Sequence, residues 1–298
     1  MKSLLIVNPT AGQGRPSETI RSVEDVFRST VRKLVVTGAR GDAEAAAREA
    51  ALGGEVDEVL VAGGDGTVNE VVNGLLQGRG DGATLPMGII PLGTQNVLAQ
   101  ELGIAAGDID QTAGMIRRAR KFSMDVGDAN GRYFALMAGF GFDAAVVNET
   151  VAPMKGLIGP AAYAFATLGT LAKYHSTQVR LELDDEAVES DAFLVIVANA
   201  STYGFRQIKV APFASLDDGW LDVCVFERPP FDRVGFATQM MAAIAGRHLR
   251  DPRVRYYRAR KVRIDSDPPV DGQIDGDVFR QTPVTINLIP KALTVYVP

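Results

Sequence analysis

Residues 59–76 read VLVAGGDGTVNEVVNGLL. This is an apolar run that stops at Gly63-Gly64, admits one carboxylate at Asp65 and turns through Gly66-Thr67 into an amphipathic stretch. Glycine-rich bends between a strand and a helix suit phosphate, because N–H groups at a helix start are free and the positive end of the helix dipole faces the ligand. A carboxylate in such a bend repels phosphate unless a divalent cation lies between them. Mg²⁺ bound by one or two carboxylates plus substrate oxygens has that arrangement. No lysine stands where a P-loop would place one. Two readings of Asp65 follow from these residues: a group that holds or orients Mg²⁺ against a nucleotide's phosphates, or an Asp-Gly turn followed by a Thr67 helix cap. The spacing alone leaves both open.

The elements that must position this bend can be read from periodicity. Segments 3–7, 33–36, 58–61 and 87–90 have strand character, and SETIRSVEDVFRST and DAEAAAREAAL between them carry helical patterning. Val68, Val71, Val72 and Leu75 follow the helical spacing i, i+3, i+4, i+7. Strands alternating with helices predict a parallel sheet covered on both faces. Ligands of such sheets sit beyond the carboxyl ends of the strands. The bends NPTAG (8–12), GGDGT (63–67) and PLGT (91–94) each follow a strand, so all three are expected on one edge.

After about Ser123 the texture changes. FSMDVGDANGRYFALMAGFGFDA reads as a hairpin turning at Asp128-Ala129-Asn130-Gly131. VRLELDD, DAFLVIVANA, WLDVCVFE, RKVRIDSD, PVTINLI and ALTVYV follow as strands, with helices near 160–173 and 232–246. The expected architecture is an α/β N-terminal domain with a parallel sheet over 1–125, then a strand-rich, β-sandwich-like C-terminal domain over 126–287.

Composition sets the outer bounds. The chain has 298 residues, 46% of them hydrophobic and 22% charged, which is ordinary for a soluble protein with room for two cores. A net charge of -5 gives no reason to expect a nucleic-acid partner. Cys224 is the only cysteine, so no intrachain disulfide can form and a cytoplasmic setting is expected. His175 and His248 are far apart in sequence, which argues against a histidine-rich zinc site. The apolar run near the N-terminus is too short for a signal peptide, and the uncharged stretch 156–172 is interrupted by glycines and Pro160. That stretch reads as a buried helix or the lining of an acyl-chain pocket. The arginine-rich run 250–263 reads either as a headgroup-docking patch or as a solvated strand face.

Taken together, GGDGTVNE, NPTAG upstream and PLGTQN downstream resemble the diacylglycerol-kinase catalytic family, in its bacterial lipid-kinase branch. GGDGT alone is shared with NAD kinases and, more loosely, with phosphofructokinases. The resemblance extends through TGARGDA (37–43), AGFGFDA (138–144), LDDGWLDV (216–223), DGD (275–277) and LIPKALTVYVP, nearly the whole chain. It implies an ATP- and Mg²⁺-dependent kinase that transfers the γ-phosphoryl group to a lipid hydroxyl, with the lipid reached by peripheral, reversible membrane contact. An NAD kinase-like enzyme and an inactive nucleotide- or lipid-binding module are the alternatives. The sequence does not decide between a monomer and a homodimer.

The resemblance also assigns residues. Asn8, Pro9, Thr10, Ala11 and Gly12 match the first nucleotide loop, with Thr37 and Thr94 as further nucleotide contacts. Gly64, Asp65, Gly66, Thr67, Val68, Asn69 and Glu70 match the phosphate and metal turn, and Asp125 is expected to support Asp65. Ser215, Asp218 and Trp220 match a structural Mg²⁺ site, the first and last through main-chain oxygens. The family's Asp-Gly-Glu motif, whose Glu is the general base, falls on Asp275-Gly276-Asp277, making Asp277 the base; DGQ at 271–273 is the other copy. Aspartate is one methylene shorter than glutamate, a shift of about an ångström that can cost on the order of 10²-fold. The final strand is expected to return to the N-terminal domain over 288–298.

Overall fold

The computed structural model describes residues 2–11, 16–80, 82–151, 170–171, 173–203 and 208–298. Gly12 and most of the 156–172 stretch lie outside them. The chain divides into two compact units. The first comprises Met1–Val126, Arg132–Ala135 and Ile289–Pro298, and the second Gly127–Gly131 and Leu136–Leu288.

The first unit alternates β1 (Ser3–Val7), α1 (Pro16–Phe27), β2 (Val31–Val36), α2 (Asp42–Gly53), β3 (Glu58–Gly63), α3 (Asp65–Gly78) and β4 (Met87–Pro91). α4 (Val97–Glu101) and α5 (Ile109–Arg118) follow. The strands run parallel in the order β2-β1-β3-β4. β1, β3 and β4 are buried along their whole length while β2 is half-exposed. Inner strands of a parallel sheet covered on both faces must be apolar throughout, and SLLIV, EVLVAG and MGIIP nearly are. The charged exception, Glu58, is 4% exposed and bonded at both oxygens, to Ser3 Oγ at 2.6 Å and to the Tyr296 hydroxyl at 2.7 Å. α3 buries Val68, Val71, Val72 and Leu75, the residues of the helical repeat.

β5 (Lys121–Ala129) and β6 (Arg132–Phe134) form a hairpin. β7 (Met137–Gly141) then pairs elsewhere, with β9 and β15, and Phe142 opens helix α6 (Phe142–Val151). The expected single hairpin over this region therefore ends earlier. ALMAGFGFDAAVV is apolar without clear period, so its switch from strand to helix carries no local signal.

The second unit continues with β8 (Thr177–Leu183), β9 (Glu186–Ala198), β10 (Thr202–Tyr203), β11 (Ile208–Lys209) and β12 (Leu221–Glu227). After a helix at Arg233–Ile244 come β13 (Val254–Ala259), β14 (Lys261–Asp267), β15 (Gly272–Ile274), β16 (Asp277–Val278) and β17 (Val284–Tyr296). β9 organises it: its first half pairs β8, while its second half lies between β7 and β12, all antiparallel. β13 and β14 carry most of the arginine-rich run. Arg255 pairs with Glu227 at 3.5 Å, Arg258 with Asp222 at 3.6 Å, and Arg260 lies over the Trp220 ring.

PVTINLI and ALTVYV are one strand, β17, and not two. Its start pairs β14, and near its end Val295 pairs Met87 of β4 in parallel. Lys291, at φ 49°, turns its N–H out of the ladder to Asp125 Oδ1 at 2.7 Å. Glu58 and Tyr296 thus join β3 to the last strand by a buried bond. Glu58→Ala leaves two buried hydroxyls unpaired and is expected to lower stability by about 2–4 kcal/mol in urea unfolding, whereas a neutral outcome would show the bond to be dispensable.

Candidate active site

In the first unit the bends that follow β1, β3 and β4 share the carboxyl edge of one parallel sheet, and each is bonded to another. Asn8 Nδ2 donates to Thr67 Oγ1 at 2.9 Å, which links the first bend to the opening turn of α3. Asn8 Oδ1 in turn accepts from the Thr10 N–H at 3.0 Å and the Thr10 hydroxyl at 2.8 Å. The Leu92 N–H donates to the Gly63 carbonyl at 2.9 Å. Gly64 and Gly93 meet backbone to backbone: a Cβ built on Gly93 would lie 2.5 Å from Gly64 Cα. Only residues without side chains permit that approach.

Asp65 is half-buried at the centre of this edge. Its Oδ1 accepts the Val97 N–H at 2.6 Å, so the carboxylate that begins α3 also caps α4. Burial raises its carboxyl above the ordinary range, and the amides of Val97, Leu98 and Asn96 oppose that rise. Thr10, Gly66 and Thr94 are exposed, while Asn8, Pro9, Ala11 and Thr37 are half-buried. Thr37 donates its N–H to the Val7 carbonyl at 2.9 Å.

The remaining residues of the turn have structural partners. Glu70 accepts from the N–H groups of Gly41 at 3.0 Å and Ala43 at 3.2 Å, anchoring the TGARGDA bend at the start of α2. Val68 and Asn69 are 5% and 3% exposed. Asn69 Oδ1 accepts from Arg132 at 2.9 Å, and Asn73 Nδ2 donates to the Tyr133 carbonyl at 2.9 Å, which seats residues 132–135 in this unit. Asp125, expected behind Asp65, is fully buried and holds the Lys291 N–H.

In the second unit, the DGD segment forms a tight hairpin. Ile274 pairs with Asp277, and the two residues between them have φ 48° and 86°, as a type I′ turn requires. Asp275 Oδ1 accepts the N–H groups of Leu136 at 3.0 Å and Met137 at 2.9 Å. Asp277 is half-buried on β16. In the other copy, Asp271 accepts from Asn148 and Gln281, and Gly272 and Gln273 are buried. Gln273 Nε2 donates to Asp143 Oδ2 at 2.6 Å. Asp143, in the first turn of α6, belongs to no site expected from the sequence, although AGFGFDA was part of the resemblance. Burial pushes its carboxyl up to about 7, against a smaller opposing pull from the Gln273 amide.

Mg²⁺ takes oxygen donors, chiefly carboxylates, phosphates and water. Among the described residues, no group of three or more His, Cys, Asp or Glu side chains could hold a metal ion. One half-buried carboxylate at a ring of backbone amides suits a cation held mainly by phosphate oxygens and water, so Asp65 fits that group. The loop of Ser215, Asp218 and Trp220 is arranged differently. Asp218 accepts the Trp220 N–H at 3.1 Å and pairs with the Arg258 guanidinium, so a cation there has to compete with arginine.

Residues 2–129 match the diacylglycerol kinase catalytic domain, and residues 137–297 the YegS C-terminal NAD kinase beta sandwich-like domain. The chain belongs to the diacylglycerol kinase family. A curated diacylglycerol kinase of Bacillus subtilis is 31% identical over 280 residues, 93% of this chain and 89% of that protein. One from Staphylococcus epidermidis is 29% identical across 100% of this chain and 92% of its own length. A Bacillus anthracis protein solved as a candidate diacylglycerol kinase superposes with a TM-score of 0.81 at 28% identity, covering 100% of this chain and 97% of that one. The chain is accordingly a lipid kinase, a phosphotransferase with an alcohol acceptor and a nucleotide donor. The α/β unit and the β-rich unit are the two halves of the family fold.

The pKa of Asp143 has a consequence for stability. Its folded value, about 7, lies above the ordinary 3.8, so the native state holds the proton more tightly than the unfolded chain. That contribution is full below about pH 4 and is lost as pH rises through about 7, on the order of 4 kcal/mol in all. In urea unfolding across this range, the wild type is expected to lose stability relative to Asp143→Asn as pH rises. Parallel curves would mean the carboxyl titrates normally.

Proposed function

We propose that this kinase transfers the γ-phosphoryl group of ATP to the hydroxyl of a diacylglycerol-like lipid at a membrane surface. The observation that carries the reading is the knot of three bends around Asp65, in which glycine-lined backbone, the start of a helix and one half-buried carboxylate share an edge. Such an edge suits a triphosphate bound together with Mg²⁺. Residues 8–12, Thr37, Gly64, Gly66, Thr67 and Thr94 would receive the nucleotide, and Asp65 would hold the cation. Bound Mg²⁺ supplies neutralisation of the charge on the transferred group.

The chain's own residues then have two tasks. The bends hold the triphosphate in one pose, which is where most of the catalysis of phosphoryl transfer originates. Asp277 accepts the proton of the lipid hydroxyl as its oxygen bonds to the γ-phosphorus. The bond from that phosphorus to the β,γ-bridging oxygen breaks, and ADP leaves with the electron pair. The shorter aspartate is supported as the base by its rigid surroundings, since the turn before it is held by Asp275 and Gln273. No helix among the described residues is long and apolar enough to cross a bilayer. The reading takes the membrane contact to be peripheral.

Two substitutions test the assignment. Asp65→Asn keeps an oxygen for the Val97 N–H and removes only the charge, so it is expected to fold normally. Its turnover on diacylglycerol in mixed micelles should fall about 100-fold or more. Asp277→Asn is expected to lose on the order of 10²–10⁴-fold. Full turnover by both folded variants would overturn the reading, as would phosphorylation of NAD in place of lipid.

A further inference from the structure

The hairpin that carries Asp277 is held from two sides within its own unit. On one side, Asp275 grips the N–H groups at the start of β7. On the other, Gln273 Oε1 accepts the Gly276 N–H at 2.8 Å, while its Nε2 donates to Asp143 Oδ2 at 2.6 Å. The orientation of this amide is not arbitrary. The Gly276 N–H can only donate, so an oxygen must face it, and the nitrogen must face Asp143. Were the amide to turn over, two donors would meet at Gly276 and the bond would be lost.

Asp143 supplies the acceptor that makes the observed orientation the favoured one. The pair is sealed from water, with Asp143 3% and Gln273 2% exposed. Gly139, in the neighbouring strand β7, leaves the space they fill. A Cβ there would lie 2.3 Å from Asp143 Oδ2 and 2.8 Å from Gln273 Nε2. A buried, fully bonded amide of this kind has one rotamer and transmits it to the backbone it holds.

We infer that Asp143 is a positioning residue for phosphoryl transfer: through Gln273 it fixes the backbone at Gly276 and so the placement of the Asp277 carboxylate. The inference rests on the reading of Asp277 as general base. It assigns a task to the aspartate of AGFGFDA, and it explains why a shorter base needs an immobile turn. A carboxylate free to wander by about an ångström loses on the order of 10²-fold in rate.

The test is kinetic, on the full chain with ATP and diacylglycerol micelles. Asp143→Ala and Gln273→Leu are each expected to lower kcat about 10- to 100-fold, with KM for ATP within about twofold of wild type. Asp143→Asn, whose carbonyl accepts from the same amide, should recover kcat to within about threefold. In an Asp277→Asn background, Asp143→Ala should cost less than about twofold more, because its effect runs through a group already disabled. A general loss of fold would cost activity in both backgrounds. Thermal melts identify unfolded variants, and if Asp143→Ala does not fold, Gln273→Leu in both backgrounds carries the same test. The inference is overturned if the folded single variants keep kcat within twofold, if Asn does not rescue, or if the effects multiply. If Asp277→Asn itself keeps full turnover, the base assignment fails first; if it loses turnover while Asp143→Ala keeps it, only the positioning role fails.

Discussion

A carboxylate taken out of water needs donors, and Asp65 finds them in the amides that begin α4. Much of the order at the carboxyl edge of the first unit's sheet follows from this one bond. Asp65 belongs to the bend after β3, and Val97 follows the bend after β4, so the 2.6 Å contact makes the two bends one object. Gly64 and Gly93, pressed backbone to backbone, close it further. The first bend joins through Asn8 and Thr67. The proposed hold on a flexible triphosphate calls for a receptor whose parts are tied together, and these contacts tie the three bends to one another.

The same device recurs with different residues. Glu70 uses both oxygens to cap α2, so an acidic residue of the turn serves as an anchor for the neighbouring bend. Asp42 accepts the N–H groups of Gly38 and Ala39 at 2.8 Å, and its carboxyl is held below the ordinary range by those bonds. In the second unit, Asp275 secures the start of β7 and Asp143 orients Gln273. Short acidic and amide side chains bonded to main-chain N–H groups make irregular backbone rigid without a helix or strand to hold it. Such rigidity is what a site assembled on bends requires.

Family membership and fold class were legible in the sequence because they rest on local signals. Apolar runs of strand length, the repeat of Val68, Val71, Val72 and Leu75, and glycine at each bend are expressed within a few residues. They depend on sterics and periodicity that the chain carries with it wherever it goes. NPTAG, PLGTQN and the late DDGWL, in that order, told lipid kinases from other owners of the GGDGT turn. β17 was harder, since Pro290 and Lys291 look like a break and prove to be an irregularity within one strand. α6 was invisible because its sequence has no clear period.

The partners of the acidic residues are another matter. Asp65 meets Val97 across 32 positions, and Gln273 meets Asp143 across 130. Asp125, which the family resemblance set to support Asp65, holds Lys291 across 166. Residue type announces that a buried carboxylate will seek donors. It does not say which amides the sheet order and the packing of α3, α4 and α6 will bring within three ångströms. From its own letters the chain therefore determined which elements form and which bends are rich in glycine and acid. Tertiary structure alone decided what each acid grips, because a hydrogen bond depends on distance in space and the sequence records only distance along the chain.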